Sequence, residues 1–145
     1  MADLRFPRSE KLKSRKDLTE LFEGGRSYTF YPVKVLYKFS VPAIEPTCQA
    51  AFTVSKRNFK RSVDRNRIKR LMREAYRLNK ELFYQKLKTS GGSCRLTFIF
   101  LDRKLPEFSQ IQDKIILILQ RLIDDYEENT KRDHGTPDKS VSEGD

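Results

Sequence analysis

Apolar positions along the chain change period several times, and each change marks an element. Leu18, Leu21 and Phe22 are spaced i, i+3, i+4, the signature of one helix face. Ser14 or Asp17 supplies its N-cap, and Gly24-Gly25 stops it, since glycine takes the left-handed cap conformation without a Cβ clash. Arg26–Tyr31 forms a first strand before Pro32. Val33, Val35, Tyr37 and Phe39 then alternate with Lys34, Leu36 and Lys38, a strand with one buried face. Pro42–Pro46 reads as a loop, and Cys48–Ser55 as an apolar strand with Phe52 and Val54 on one face. A helix is expected over Val63–Leu87, followed by a turn at Thr89–Ser93. Arg95–Leu101 is apolar on both faces towards its end, as a central strand would be. Phe108, Ile111, Ile115, Ile118, Leu119 and Leu122 return to helical spacing. The order α-β-β-β-α-β-α predicts a single α+β domain, a four-stranded sheet packed with helices. Three regions follow: a basic extension over 1–13, the domain over 14–126, and an acidic, disordered tail over 127–145.

The segment Val63–Leu82 is the most informative. On a helical wheel Ile68, Leu71, Met72, Ala75, Leu78 and Leu82 share an arc of about 120°, the width of a core-facing stripe. Arg65, Lys69, Arg73 and Arg77 form a ridge at intervals of four, and Asn66, Arg67 and Arg70 widen the same polar face. Arg61 would fall on the apolar arc, so it is assigned to the loop before the helix. Like charges four apart repel by a few tenths of a kcal/mol per pair in an isolated helix. A cationic ridge kept at that cost points to phosphates as its partner. Arginine adds bidentate grip and base stacking, and Asn66 a neutral donor and acceptor.

Charge sharpens this picture. The 145 residues carry 30 Lys+Arg against 20 Asp+Glu, net +10. Lys56–Lys80 alone holds eleven basic residues and two acidic ones, whereas Asp124–Asp145 holds eight acidic and three basic. The acidic tail could compete with RNA for the basic face. The longest apolar run, Ile115–Leu119, is far short of the ~20 residues that span a bilayer, so no membrane partner is expected. Met1–Pro7 has no apolar stretch of the secretory kind, and a cytoplasmic location is expected. The two cysteines, Cys48 and Cys94, fall in or beside strands and read as buried, inert thiols. The only histidine, His134, lies in the polar tail, and no Ser/His/Asp, Cys/His or metal-ligand constellation is assembled in the sequence. No catalytic or metal-ligating residue is therefore assigned. Charge and composition fit a structural RNA-binding protein of the ribosome or its assembly, while a DNA-binding module using the same helix lacks a heptad zipper or a second short helix placed for a helix-turn-helix. Exposed aromatics would favour single-stranded RNA; Phe22, Tyr28, Phe30, Tyr31 and Tyr37 are the candidates.

Thr53-Val54-Ser55-Lys56-Arg57 followed by Arg65-Asn66-Arg67-Ile68-Lys69-Arg70-Leu71-Met72-Arg73-Glu74-Ala75-Tyr76 resembles the signature of the bacterial ribonuclease P protein component. Lys11–Gly25 is similar to that family's first helix and closing glycine, and the likeness covers roughly residues 8–123. It implies a ribosomal protein S5 domain 2-like fold with a left-handed βαβ crossover. It further implies a ribonucleoprotein endonuclease in which a catalytic RNA, using Mg²⁺, removes the 5′ leader of precursor tRNA. The protein binds no cofactor by itself, and its oligomeric state is left open. The RNA-docking face it implies is Arg65, Asn66, Arg67, Lys69, Arg70 and Arg73, with Lys56, Arg57 and Arg61 at the edge. The leader cleft it implies uses Leu18, Phe22 and Tyr37. Two departures stand out: Leu18 replaces a frequent aromatic, and the stretch between Lys56 and Arg65 lacks a common glycine and is one residue longer.

Overall fold

The computed structural model describes residues 6–43 and 47–134. The elements are α1 (Arg15–Gly24), β1 (Arg26–Phe30), β2 (Val33–Ser40), β3 (Cys48–Val54), α2 (Ser62–Asn79), α3 (Glu81–Thr89), β4 (Ser93–Phe100) and α4 (Phe108–His134). The four strands form one sheet in the order β1-β2-β4-β3. β1, β2 and β4 pair antiparallel, while β3 and β4 are parallel and joined through α2 and α3. Strand alternation gives the sheet two different faces. Val33, Val35, Tyr37, Ala50, Val54, Leu96, Phe98 and Phe100 point into the main core. α2, α3 and α4 close that core with Ile68, Met72, Phe83, Leu87, Ile111, Ile115 and Leu122. On the opposite face α1 lays Leu21 and Leu18 over Leu36, Ala51 and Ile99, together with Leu12.

Several expectations change. Ser14 is the cap of α1, its Oγ accepting from the Asp17 amide at 3.2 Å. Gly25 takes φ −78°, not the left-handed conformation. It is glycine because a Cβ would stand 2.6 Å from the Leu21 carbonyl oxygen. Residues 6–12 of the basic extension form a strap along edge strand β3. Phe6 packs edge-on against Phe52 and Tyr76, the Leu12 amide donates to the Ala50 carbonyl at 2.9 Å, and Leu12 is buried. The strap covers unpaired backbone groups that an edge would otherwise expose.

The helix expected over Val63–Leu87 divides at Lys80. The Asn79 side-chain amide donates to the Ala75 carbonyl at 2.8 Å and so competes for the helical ladder. Lys80 then turns inward, 4% exposed, with Nζ 2.7 Å from Glu10 of the strap. The core stripe is rotated accordingly. Tyr76 joins Ile68, Met72 and Ala75 inside, Leu71 is half-buried, and Leu78 and Leu82 are exposed. At the other end polarity misleads: the chain stays helical past Tyr126 to His134, where a disordered tail was expected. Residues 135–145, the rest of that tail, lie outside the described residues.

Both cysteines are buried and free, and stand opposite each other on β3 and β4. Burial pushes the Cys48 thiol up to about 12, against a slight lowering by its hydrogen bond with the Tyr76 hydroxyl at 3.1 Å. Burial also raises Cys94, Tyr76 and Tyr37 well above their ordinary values. These groups ionise in the unfolded chain before they do in the native one. Their contribution to stability is therefore full below the unfolded thiol value near 9 and declines as pH rises beyond it. The urea midpoint should be level from pH 7 to 8.5 and fall from about pH 9 upward, less steeply in Cys48→Ala than in the parent. A midpoint flat to pH 10.5 would contradict this burial.

Candidate nucleic-acid interface

The basic segment begins where β3 leaves the sheet. Ser55 organises the turn: its carbonyl accepts from the Phe59 amide at 3.1 Å and its Oγ from the Arg57 amide at 3.0 Å. The Asn58 side chain donates to the Leu101 carbonyl at 3.1 Å, and Phe59 is buried beside Phe100. This turn leaves Lys56, Arg57 and Lys60 exposed and delivers Arg61 to the N-cap of α2, also exposed. α2 therefore brings Arg65, Asn66 and Arg67 into its second turn, near the N-terminal end where the helix dipole favours an anion.

The predicted docking residues do not behave alike. Asn66, Arg67 and Arg70 are exposed, and Lys69 and Arg73 are half-buried along the flank. Among the described residues none of Arg67, Lys69, Arg70 and Arg73 has an ion-pair partner. Arg65 is a correction. The rotated stripe turns it toward the core side, where its Nη1 donates to the carbonyls of Phe59 at 2.8 Å and Lys60 at 2.9 Å. It fastens the turn that presents its neighbours. Arg77 at the far end of the ridge is also engaged, its Nε donating to Glu74 at 3.2 Å. The hydrogen bond from Arg77 holds the Glu74 carboxyl below its ordinary value.

α1 and the second face of the sheet make a separate surface. Leu18 is half-buried against the sheet and Phe22 is 52% exposed at the helix edge. Tyr37, expected beside them, is on the other face of β2. It is 1% exposed, its ring stacks on Tyr28, and its hydroxyl donates to Asp125 at 2.6 Å. The alternation with Val33 and Val35 already put Tyr37 on the buried side. The residues of β2 that share a face with α1 are Lys34, Leu36 and Lys38. Their cross-strand partners in β4 are Ile99, Thr97 and Arg95. Arg95 was missed because its strand was read for the apolar residues towards its end, and the charge at its start was given no role. It is braced by Gln49, Nε to Oε1 3.2 Å, and reaches Asp17 of α1 at 3.6 Å. The other candidate aromatics are taken: Tyr28 lies between Tyr37 and the Arg121 guanidinium, 4.4 Å from its ring centroid, and Phe30 packs on the core. Tyr31 alone of the tyrosines named from the sequence is widely exposed, at 60%.

A sequence model of the ribonuclease P family matches residues 6–123, from the strap to the last buried turns of α4. The chain belongs to the ribonuclease P protein family. It is 33% identical over 105 residues to the ribonuclease P protein component of Porphyromonas gingivalis, covering 72% of this chain and 77% of that one. It is also 33% identical over 128 residues to the component of Chlorobaculum tepidum, covering 81% and 82% of the two chains. In structure it resembles the RNase P protein of Staphylococcus aureus, with TM-score 0.61 and 19% identity over 79% of this chain and 96% of the other. The Thermotoga maritima RNase P protein gives TM-score 0.60 and 21% identity over 77% and 96%. Those two likenesses establish the α+β fold with its four-stranded sheet. The ribonuclease P family match contains both surfaces described above, the outward side of α2 and the α1 side of the sheet. No helix of the described residues is long and apolar enough to cross a membrane.

Proposed function

We propose that this ribonuclease P protein docks on the catalytic RNA through the outward side of α2 and carries the 5′ leader of precursor tRNA along α1. The observation that supports the first half is the set of cationic side chains on α2 without acidic partners in the chain. Arg67 and Arg70 carry it, with Asn66, Lys69 and Arg73 beside them and Lys56, Arg57 and Arg61 on the approach. Desolvating four unneutralised cations against anything but an anion would be costly. Phosphates remove that cost and release counterions. For the leader, Leu18 and Phe22 offer an apolar ledge, and Lys34 and Lys38 stand on the sheet beneath α1.

The chemistry is assigned to the RNA. The acids nearest the docking surface stand singly: Asp64 occupies the first turn of α2, and Glu74 is held by Arg77. A two-metal phosphoryl site needs converging carboxylates, so Mg²⁺ is placed with the RNA partner and the protein's part is binding and orientation. On this reading the protein works in the cytoplasm, with its RNA partner and the precursor pool.

Reconstitution tests the reading. The full chain, added to the catalytic RNA, should allow leader removal at Mg²⁺ levels where the RNA alone is slow. Equal cleavage with and without protein across the whole Mg²⁺ range would refute it, and co-sedimentation with a ribosomal subunit instead would favour a structural RNA-binding role.

A further inference from the structure

We propose that the groove beside Tyr31 is a stacking subsite for one unpaired nucleotide of the catalytic RNA. This rests on the docking role given to α2 and adds a contact outside it. Tyr31 sits at the tip of the β1–β2 hairpin, its side chain widely exposed beside Asp102 on the wall of one groove. Open to solvent, the ring offers a face on which a base can stack. Beside it runs a groove of about 490 Å³, with Pro32, Phe100, Leu105 and Pro106 on its walls and Lys104 and Lys114 at its polar positions. Ligand grooves commonly span roughly 300–1,000 Å³ and combine apolar walls with a few polar groups.

A single exposed aromatic is ordinary on a protein surface. What distinguishes Tyr31 is where the fold places it. The Leu101 amide donates to the Pro32 carbonyl at 2.8 Å, and the Leu101 carbonyl accepts from Asn58 at 3.1 Å. The hairpin tip, the end of β4 and the basic turn Lys56–Arg61 thus form one hydrogen-bonded row. Two strand spacings, roughly 10 Å, separate the β2 end of that row from its β3 end. RNA held by the basic turn can set a nearby base on Tyr31 without leaving the surface.

The charges of the groove specify how it holds its ligand. Asp102 and Asp113 balance Lys104 and Lys114, so the groove suits a base more than a run of phosphates. Stacking on an aromatic platform is indifferent to salt and tolerant of base identity, while a lysine taking a phosphate is salt-dependent.

The experiment measures assembly of the full chain with the catalytic RNA between 50 and 400 mM salt. Tyr31→Ala should weaken assembly roughly tenfold with the salt slope unchanged, and Tyr31→Phe should retain wild-type affinity. Lys104→Ala or Lys114→Ala should flatten the slope by about one. The ring is exposed, so a melting temperature equal to the parent's certifies the fold of each variant. Three results overturn the proposal: Tyr31→Ala assembling like wild type, Tyr31→Phe failing as badly as Tyr31→Ala, or a defect confined to precursor tRNA binding by the preformed holoenzyme. Failure of the underlying reading looks different, since the wild-type chain itself would then not assemble with the RNA.

Discussion

Glu10→Ala should destabilise the fold by about 3–5 kcal/mol, the usual result of removing one partner from a buried ion pair. Lys80 and Glu10 have side chains only 5% and 13% exposed, with Nζ and Oε1 2.7 Å apart. Once Glu10 is gone, the ammonium keeps, among the described residues, the Tyr84 ring, whose centroid is 5.7 Å away. A native domain holds roughly 5–15 kcal/mol in total, so the loss should lower Tm by about 10 °C or more. The strap should also loosen, because the pair joins it to the α2–α3 break. Amide exchange of Leu12, which donates to Ala50, would report that directly. Replacing both partners, Glu10→Leu with Lys80→Met, should recover most of the loss, since an apolar pair of similar volume avoids the desolvation cost. A Glu10→Ala melt within 2 °C of the parent would mean that water reaches the pair.

This ion pair shows why the sequence was readable in part. Periodicity located β2, β3, β4 and three of the helices, because those elements bury an apolar face and tertiary contacts agree with local pattern. It failed where a polar group does the work of a core residue. Lys80 reads as one more cation of the basic helix, and nothing nearby marks Asn79 as the residue that captures the Ala75 carbonyl. With the break unseen, Leu78 and Leu82 looked interior, and the stripe was phased through them and away from Tyr76. The same phasing set Arg65 in the outward cationic ridge, and the family likeness then gave it a docking role. The buried arc is centred about 50° from the expected one, half of a residue's 100° step, and that rotation carries Arg65 toward the Phe59 and Lys60 carbonyls. Tyr37 went wrong differently: the alternation of β2 already placed it with Val33 and Val35, and the family likeness overrode that reading. The strap and the last turns of α4 were missed because composition there is polar, while single residues, Leu12 and Tyr126, carry the packing.

Removing Arg67, Arg70 and Arg73 together should separate RNA binding from stability more cleanly than any other change. Each side chain lacks an acidic partner among the described residues. Charge-assisted hydrogen bonds contribute about 1.5–3 kcal/mol apiece, so losing three should weaken assembly with the catalytic RNA by at least roughly a thousandfold at low salt. The slope of log affinity against log salt should flatten by about 2–3, close to one per phosphate given up. The isolated protein should melt at the parent temperature or slightly above it. Arg70 stands three residues from both Arg67 and Arg73, and like charges at that spacing destabilise a helix by a few tenths of a kcal/mol per pair. Arg65→Ala is the matched opposite. It releases two backbone carbonyls that Arg65 now occupies, so it should cost about 1 kcal/mol of stability. Its effect on assembly should follow from a loosened turn, with the salt slope almost intact. If the triple variant assembled normally while Arg65→Ala flattened the slope, the outward side of α2 would not be where phosphates sit, and the docking surface would have to lie on the other flank of the helix.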